Sequence, residues 1–300
     1  MTDADEKDQT VGLAVLHEAA GIAETIFGDE LVSVYAFGSL THGGFDPLVS
    51  DIDILFVLRG PLTEETRRRL NLVEEVVVLR ALPLADRLAT FWTSLALLPR
   101  RDLSGAYPPK DISLGFLPPL DRLDLLLNGT LLFGDDVRRS IPRPTSEELE
   151  IAGVEFAVSY LQGDALLEEI KDARLLEERG VLAVTKTILF PVRFLYTLRT
   201  GQIGANYDAA QHYGASSEPG ARSRLVAAAL EWRRSGLPQD GRCVALITGG
   251  LGSLYREMLE AYRDRMEELG RADLAAALDA WARDIRAVDS GRLTVAPPRP

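Results

Sequence analysis

One stretch near the N-terminus limits the possible folds of this chain more than any other. It consists of two apolar runs joined by a polar connection. Val32–Phe37 is a short, mostly apolar run, which predicts a buried strand. Gly38-Ser39 follows it and predicts a turn in which the backbone can approach a ligand closely. Asp51 and Asp53 then flank one isoleucine and lead into a second apolar run, Ile54–Leu58. The pattern predicts two buried strands joined by a polar connection.

The two aspartates carry the chemistry of this stretch. Side chains two residues apart on a strand lie on the same face, so Asp51 and Asp53 are expected to present neighbouring carboxylates. Two like charges at that spacing repel each other, and a divalent cation relieves the repulsion. Carboxylate oxygens are ligands of Mg²⁺, which completes its shell with waters and substrate phosphates. Since a Gly-Ser turn can hold phosphate through its N–H groups and hydroxyl, the stretch predicts a metal–nucleoside triphosphate site.

Composition narrows the class of protein. The chain has 300 residues, 46% of them hydrophobic, which predicts one large or two ordinary domains with a real core. Its single cysteine, Cys243, excludes an intramolecular disulfide and a cysteine-based zinc cluster, and we expect a buried thiol. A formal net charge of −12 argues against broad nucleic-acid binding and favours a small, cationic partner.

The sequence also predicts a location. The first ten residues are polar and acidic, and no apolar run in the sequence is expected to span a membrane. We therefore expect no signal peptide, no membrane partner and a cytoplasmic protein.

A proline-rich segment predicts the division of the chain into domains. Ile141-Pro-Arg-Pro144 contains two residues that are poor in helices and in central strands. We expect an α/β domain with a small mixed sheet over residues 1–143 and an all-α helical bundle over residues 144–300. Helical patterns in the second part cover 146–162, 164–179, 181–199, 220–235, 242–268 and 271–288.

A second candidate cluster lies in the helical part. Lys186 and Arg193 are seven residues apart, so a helix would place them on one face, with Tyr196 one turn further along. Cations among many apolar residues are rarely buried completely. Either they line a cleft that holds an anion, or they are surface residues whose charged ends stay in water.

The first stretch resembles the signature of the polymerase-beta-like nucleotidyltransferase superfamily: Gly-Ser, eleven residues, then Asp-x-Asp. The resemblance implies that Gly38 and Ser39 bind the triphosphate and that Asp51 and Asp53 bind one or two Mg²⁺ ions. It also implies that a nucleoside triphosphate such as ATP is a substrate.

The helical part resembles the C-terminal domain of the aminoglycoside adenylyltransferases of the streptomycin/spectinomycin type. The shared features are Arg-aromatic-x-Tyr, then Thr-Gly-x-Ile, then a short alanine-rich helix. The resemblance implies that Arg193 contacts the nucleotide phosphates across a cleft between the domains. A second contact in that family is a lysine, whose place is taken here by Asn206, and Lys186 is the candidate substitute.

The sequence does not supply the third acid that this superfamily carries on a later strand, as a general base or metal ligand. The matching strand is predicted over 88–98, with the expected position near Thr93 or Ser94, and it contains no acid. Three alternatives stay open: another acid enters the site, Mg²⁺ alone activates the acceptor, or the protein only binds nucleotide. The acids considered as replacements are Asp86, Asp102, Asp111, Glu155 and Asp172.

These observations predict an Mg²⁺-dependent nucleotidyltransferase that moves a nucleoside monophosphate, AMP by resemblance, to a hydroxyl of a small acceptor. An aminoglycoside is the expected acceptor, and antibiotic resistance the expected consequence. Two alternatives stay open. One is a nucleotide-binding regulator, similar to an antitoxin, without catalysis. The other is a nucleotidyltransferase that modifies a protein.

Overall fold

A computed structural model describes the backbone of residues 3–100 and 117–290, with side chains from residue 9 onwards. It divides into two compact units, Met1–Pro144 and Thr145–Pro300. The division follows the two prolines of the predicted linker. The sequence has a further short apolar run at 112–117, and most of it lies outside the described residues.

The first unit is built on a four-stranded mixed sheet. Strand β1 is antiparallel to β2 and β4, whereas β2 and β3 are parallel, and the strand order is β3-β2-β1-β4. Three α-helices of the described part accompany the sheet. The elements are α1 (Asp3–Phe27), β1 (Leu31–Phe37), β2 (Ile52–Leu58), α2 (Glu64–Leu79), β3 (Leu88–Ser94), α3 (Pro119–Asn128) and β4 (Thr130–Gly134).

Both faces of the sheet are covered, which explains why β1 and β2 are mostly apolar rather than alternating. Ile52 and Ile54 pack into a core shared with α1 and α2. Leu55 and Val57 pack into a second core, which includes Leu125 of α3. Because successive side chains of a strand point to opposite faces, Asp53, two residues before Leu55, belongs to the α3 face.

The second unit is helical throughout its described elements, which confirms the predicted fold class. A short π-helical segment over 157–161 extends α4, and α7 runs continuously through Pro191. The helices are α4 (Ser146–Phe156), α5 (Asp164–Lys171), α6 (Ala173–Glu178), α7 (Gly180–Thr200), α8 (Asn206–Ser216), α9 (Ala221–Ser235), α10 (Arg242–Glu268) and α11 (Ala272–Asp289).

Two predicted boundaries were wrong for local reasons. The helix predicted over 164–179 is two helices, because the Asp172 side chain accepts a hydrogen bond from the Arg174 N–H and begins a new helix. The strand predicted over 88–98 ends at Ser94, which pairs with Leu58, the last residue of β2. Strand β3 ends there because β2 has no residue after Leu58 with which Leu95 could pair.

The sequence-based expectation of no membrane-length apolar run needs correction. Two windows in the described helices, Gln9–Glu30 and Gly180–Thr200, are long and apolar enough to cross a membrane by length and composition. Core helices of soluble proteins pass the same test. In α1 the apolar positions Val15, Leu16 and Ala19 are fully buried against the sheet, which accounts for that window without a membrane.

The single cysteine is expected to be inert. Cys243 is fully buried at the start of α10, and burial raises the pKa of its thiol to about 12. We expect no maleimide labelling of the native protein at pH 8 and one equivalent in guanidinium chloride. A Ser159→Cys variant, which places a thiol at an exposed position, should label in the native state. Rapid native labelling of Cys243 would contradict this packing.

Candidate active site

The Gly-Ser turn begins where β1 ends. Gly38 has a φ of +75°, a left-handed conformation that favours glycine. Its carbonyl oxygen accepts hydrogen bonds from the Thr41 N–H at 3.1 Å and the Thr41 hydroxyl at 2.9 Å. A short 3-10 turn, Gly38–Leu40, results, and it holds Ser39 partly buried next to the strand end.

The sheet register brings this turn against the second aspartate. Asp53 of β2 is the pairing partner of Phe37, the last residue of β1. A side chain at Gly38 would overlap with Asp53 Oδ2, and its Cβ would lie 3.0 Å from Asp53 Cγ. The Asp53 carboxylate therefore lies directly against the Gly38 backbone.

Asp51 lies one residue before β2, at the end of a loop that hydrogen bonds hold in place. The Asp46 carbonyl oxygen accepts from the Ser50 N–H at 2.8 Å, and the Asp46 N–H donates to the Ser50 hydroxyl oxygen at 2.9 Å. Arg87, just before β3, donates to the Leu48 carbonyl oxygen at 2.9 Å. These contacts fix the approach of the chain to Asp51, which is partly buried like Asp53.

Helix α3 contributes a third carboxylate at the turn, Asp124, which the sequence analysis did not predict. Asp124 Oδ2 accepts the Gly38 N–H at 2.8 Å, and Asp124 Oδ1 accepts from Asn128 Nδ2 at 2.8 Å. The residue is 7% exposed. Since Asp53 and Asp124 both contact Gly38, their nearest oxygens are at most about 7 Å apart. The sequence signal that could have indicated Asp124 was its spacing of four residues from Asn128 on a short apolar helix.

The register of β3 corrects the place expected for the third acid. Asp53 pairs with Ala89, whereas Thr93 and Ser94 pair with Val57 and Leu58. Thr93 is four residues beyond Ala89, about 13 Å along the strand. The strand position beside the Asp-x-Asp is thus occupied by alanine, and β3 itself carries no acid.

The structure does not support any of the other acids considered from the sequence as the third acid. Three are exposed or paired with an arginine, and two lie outside the described residues. Asp86 is exposed in the turn before β3. Glu155 pairs with Arg271 at 3.2 Å in the second unit. Hydrogen bonds from Arg174 lower the pKa of Asp172, which suits an ion pair and not a proton acceptor at neutral pH. Asp102 and Asp111 lie outside the described residues.

Lys186 and Arg193 lie on α7 of the second unit, both partly buried. Arg193 Nε donates to the Gly204 carbonyl oxygen at 3.1 Å, which ties α7 to the segment before α8. Tyr196 packs on the same segment and meets His212 of α8 edge to face, with ring centroids 5.4 Å apart. The role of Lys186 and Arg193 as phosphate contacts stays a prediction.

The donor set of the first unit suits Mg²⁺ better than a metal held by protein alone. Asp51 and Asp53 are partly buried carboxylates at the start of β2, and both oxygens of Asp124 accept hydrogen bonds from the chain. The described residues contain no group of three or more His, Cys, Asp or Glu that could hold a metal. Mg²⁺ typically takes one or two carboxylates and completes its shell with water and substrate phosphates.

Comparisons with known proteins identify a domain family and a protein of similar fold. Residues 16–95 match the family model of the nucleotidyltransferase domain, a segment that holds β1, β2, β3 and both aspartates. No curated protein matches the chain in sequence. The fold is similar to the crystal structure of spectinomycin adenyltransferase AAD(9) from Enterococcus faecialis with ATP and spectinomycin. The match has a TM-score of 0.52 and 17% identity, and covers 78% of this chain and 96% of that one. The predicted resemblance and fold class are confirmed.

Proposed function

We propose that this protein transfers a nucleoside monophosphate from an Mg²⁺–nucleoside triphosphate, ATP in our proposal, to a hydroxyl of a small acceptor. The acceptor oxygen forms a bond with the α-phosphorus, the bond from that phosphorus to the pyrophosphate oxygen breaks, and the hydroxyl proton is released. Residues 1–143 are proposed as the nucleotidyltransferase domain and 144–300 as the helical domain, in a cytoplasmic protein.

One observation carries the proposal: the Asp53 carboxylate lies against the backbone of Gly38 at the end of β1. A turn that can hold phosphate and a carboxylate that can hold a cation are thereby adjacent, which is what a metal–triphosphate substrate needs. The family match over the same segment supports the assignment.

Each proposed residue has a distinct role in this scheme. Asp51 and Asp53 would hold Mg²⁺, which neutralises charge on the triphosphate when bound. The Ser39 hydroxyl and backbone N–H would donate to phosphate oxygens. Gly38 supplies the conformation of the turn, and its own N–H is engaged by Asp124. Lys186 and Arg193 are proposed as further cations for phosphate oxygens.

The proposed class of acceptor is inferred from the protein of similar fold and from the net charge of this chain. That relative was crystallised with spectinomycin. A formal net charge of −12 suits a cationic acceptor. We therefore propose an aminoglycoside or a related amino sugar, with antibiotic resistance as the consequence.

The test is to incubate the protein with Mg²⁺, each of the four nucleoside triphosphates and a panel of aminoglycosides that includes spectinomycin. We expect pyrophosphate release and an acceptor heavier by one nucleoside monophosphate, with one base preferred. The reaction should stop when EDTA removes the metal. The Asp53→Asn variant is the control for a contaminating enzyme, because it should yield no modified acceptor.

A second function, nucleotide binding without transfer, is favoured by one observation. The β3 residue beside Asp53 is Ala89, so β3 offers no acid that could accept the proton of the acceptor. Under this alternative the protein binds Mg²⁺–nucleotide tightly, and calorimetry detects that binding, while no acceptor in the panel gains mass. Turnover of any acceptor that depends on Asp53 would exclude it.

A further inference from the structure

We propose that Asp124 is the positioning residue of the nucleotide-binding turn: it fixes Gly38, and through Gly38 it fixes the Asp53 carboxylate. Its role in turnover rests on the proposed function, whereas its role in holding the turn does not. No motif in the sequence marks Asp124, and the comparison with nucleotidyltransferases does not assign it.

The geometry around Asp124 is that of a buried anchor. The side chain is 7% exposed and receives one hydrogen bond on each oxygen, from the Gly38 N–H and from Asn128 Nδ2. The Asn128 contact spans one helical turn and orients the carboxylate towards the strand end. A carboxylate accepting a backbone N–H makes a charge-assisted hydrogen bond, which is stronger than a neutral one.

The consequence for Gly38 is a turn held from both sides. Its N–H is fixed by Asp124, its carbonyl oxygen is fixed by Thr41, and its Cα side is covered by Asp53. Because glycine adopts left-handed and right-handed angles with similar ease, losing one of these contacts lets the Gly38 backbone take other conformations. Ser39 and the Asp53 carboxylate would then move together.

The same contacts separate Asp124 from a general base. A base must place a free oxygen within hydrogen-bond reach of the acceptor hydroxyl. Both oxygens of Asp124 already accept hydrogen bonds from the chain, and the side chain is almost completely buried. Asp124 should therefore act through the turn and not on the acceptor.

The test compares Asp124→Ala with Asp124→Asn. Asparagine keeps an oxygen for the Gly38 N–H, and Asn128 can rotate its amide to pair with the new side chain. We expect the alanine variant to lose between about tenfold and 100-fold in kcat and asparagine to recover most of that loss. The pH profile of kcat should keep its shape in the asparagine variant. Thermal denaturation of both variants checks that they fold.

A second readout tests the anchor without any enzyme assay. Labelling with 1-¹³C-phenylalanine and ¹⁵N-glycine selects amides of Phe-Gly pairs, and the signal that Gly38→Ala removes belongs to Gly38. We expect its hydrogen exchange to be at least about tenfold faster in Asp124→Ala than in the wild type or in Asp124→Asn. The chain contains three such pairs, Phe27-Gly28, Phe37-Gly38 and Phe133-Gly134.

The outcomes are distinguishable. Unchanged Gly38 exchange in Asp124→Ala overturns the inference, whether or not the protein is a transferase. An Asp124→Asn variant whose kcat is much reduced but measurable, and whose pH profile has lost one limb, overturns it as well, because Asp124 would then transfer a proton. Faster exchange in the alanine variant of a protein without transferase activity supports the anchor and contradicts only the proposed function.

Discussion

Replacing Asp53 with asparagine is expected to lower pyrophosphate release by about 10³-fold or more, because metal-assisted charge stabilisation contributes several kcal/mol. Asparagine has nearly the same shape but no charge, so the contact with Gly38 can persist while the affinity for Mg²⁺ falls. Asp51→Asn should behave similarly. Steady-state kinetics at saturating nucleotide and a titration of Mg²⁺ measure the effect.

Stability measurements separate loss of the metal site from loss of the fold. Thermal unfolding without Mg²⁺ checks that Asp53→Asn still folds, because asparagine keeps nearly the same shape against Gly38. Adding Mg²⁺–ATP should stabilise the wild type and not the variant, because ligands stabilise only the state that binds them. Transfer that survives in both variants would show that the metal assignment is wrong.

The matched control for this prediction is Asp29→Asn. Asp29 is exposed and precedes β1, at the opposite end of the strand from Gly38. The seven residues of β1 put it about 20 Å from the turn. It changes net charge by the same amount as Asp53→Asn, so a general electrostatic effect on substrate approach would appear in both variants. We expect turnover of Asp29→Asn to stay within about twofold of the wild type.

The core of the site could be predicted from the sequence because its signals are local. The apolar run before Gly38 and the apolar run after Asp53 identified β1 and β2, which the structure places side by side. Two aspartates before an apolar run conflict with strand preferences unless they have a function. Pairing Phe37 with Asp53 then follows from an antiparallel register, the arrangement that places the Gly-Ser turn and the Asp-x-Asp at one edge.

Asp124 could not be predicted in the same way, because its role depends on packing between distant segments. It lies 86 residues beyond Gly38 in the chain, and only the placement of α3 on the sheet brings the two together. The pairing register of β3 with β2 could not be predicted from the sequence either. A parallel pair has no tight turn to fix its alignment, so the sequence placed the third-acid position at Thr93 or Ser94, whereas the structure places Ala89 beside Asp53.

Gly38→Ala is expected to have the other large effect, a loss of more than about 100-fold in kcat. Alanine there must adopt a φ of +75° and must also displace the Asp53 carboxylate, which occupies the space of the new Cβ. The left-handed conformation alone costs about 1–2 kcal/mol of stability. Moving Asp53 additionally disturbs the proposed metal ligand. Steady-state kinetics and urea unfolding measure the two effects separately.

Gly43→Ala is the matched control, because it shares the strain without the clash. Gly43 has a φ of +83°, and a Cβ there would meet no atom within 4 Å. We expect both alanine variants to lose similar stability from backbone strain, and only Gly38→Ala to lose most of its activity. If Gly43→Ala loses as much activity as Gly38→Ala, strain in the connection explains the loss, and contact between Gly38 and Asp53 does not. If neither variant loses activity, the turn has no part in the reaction.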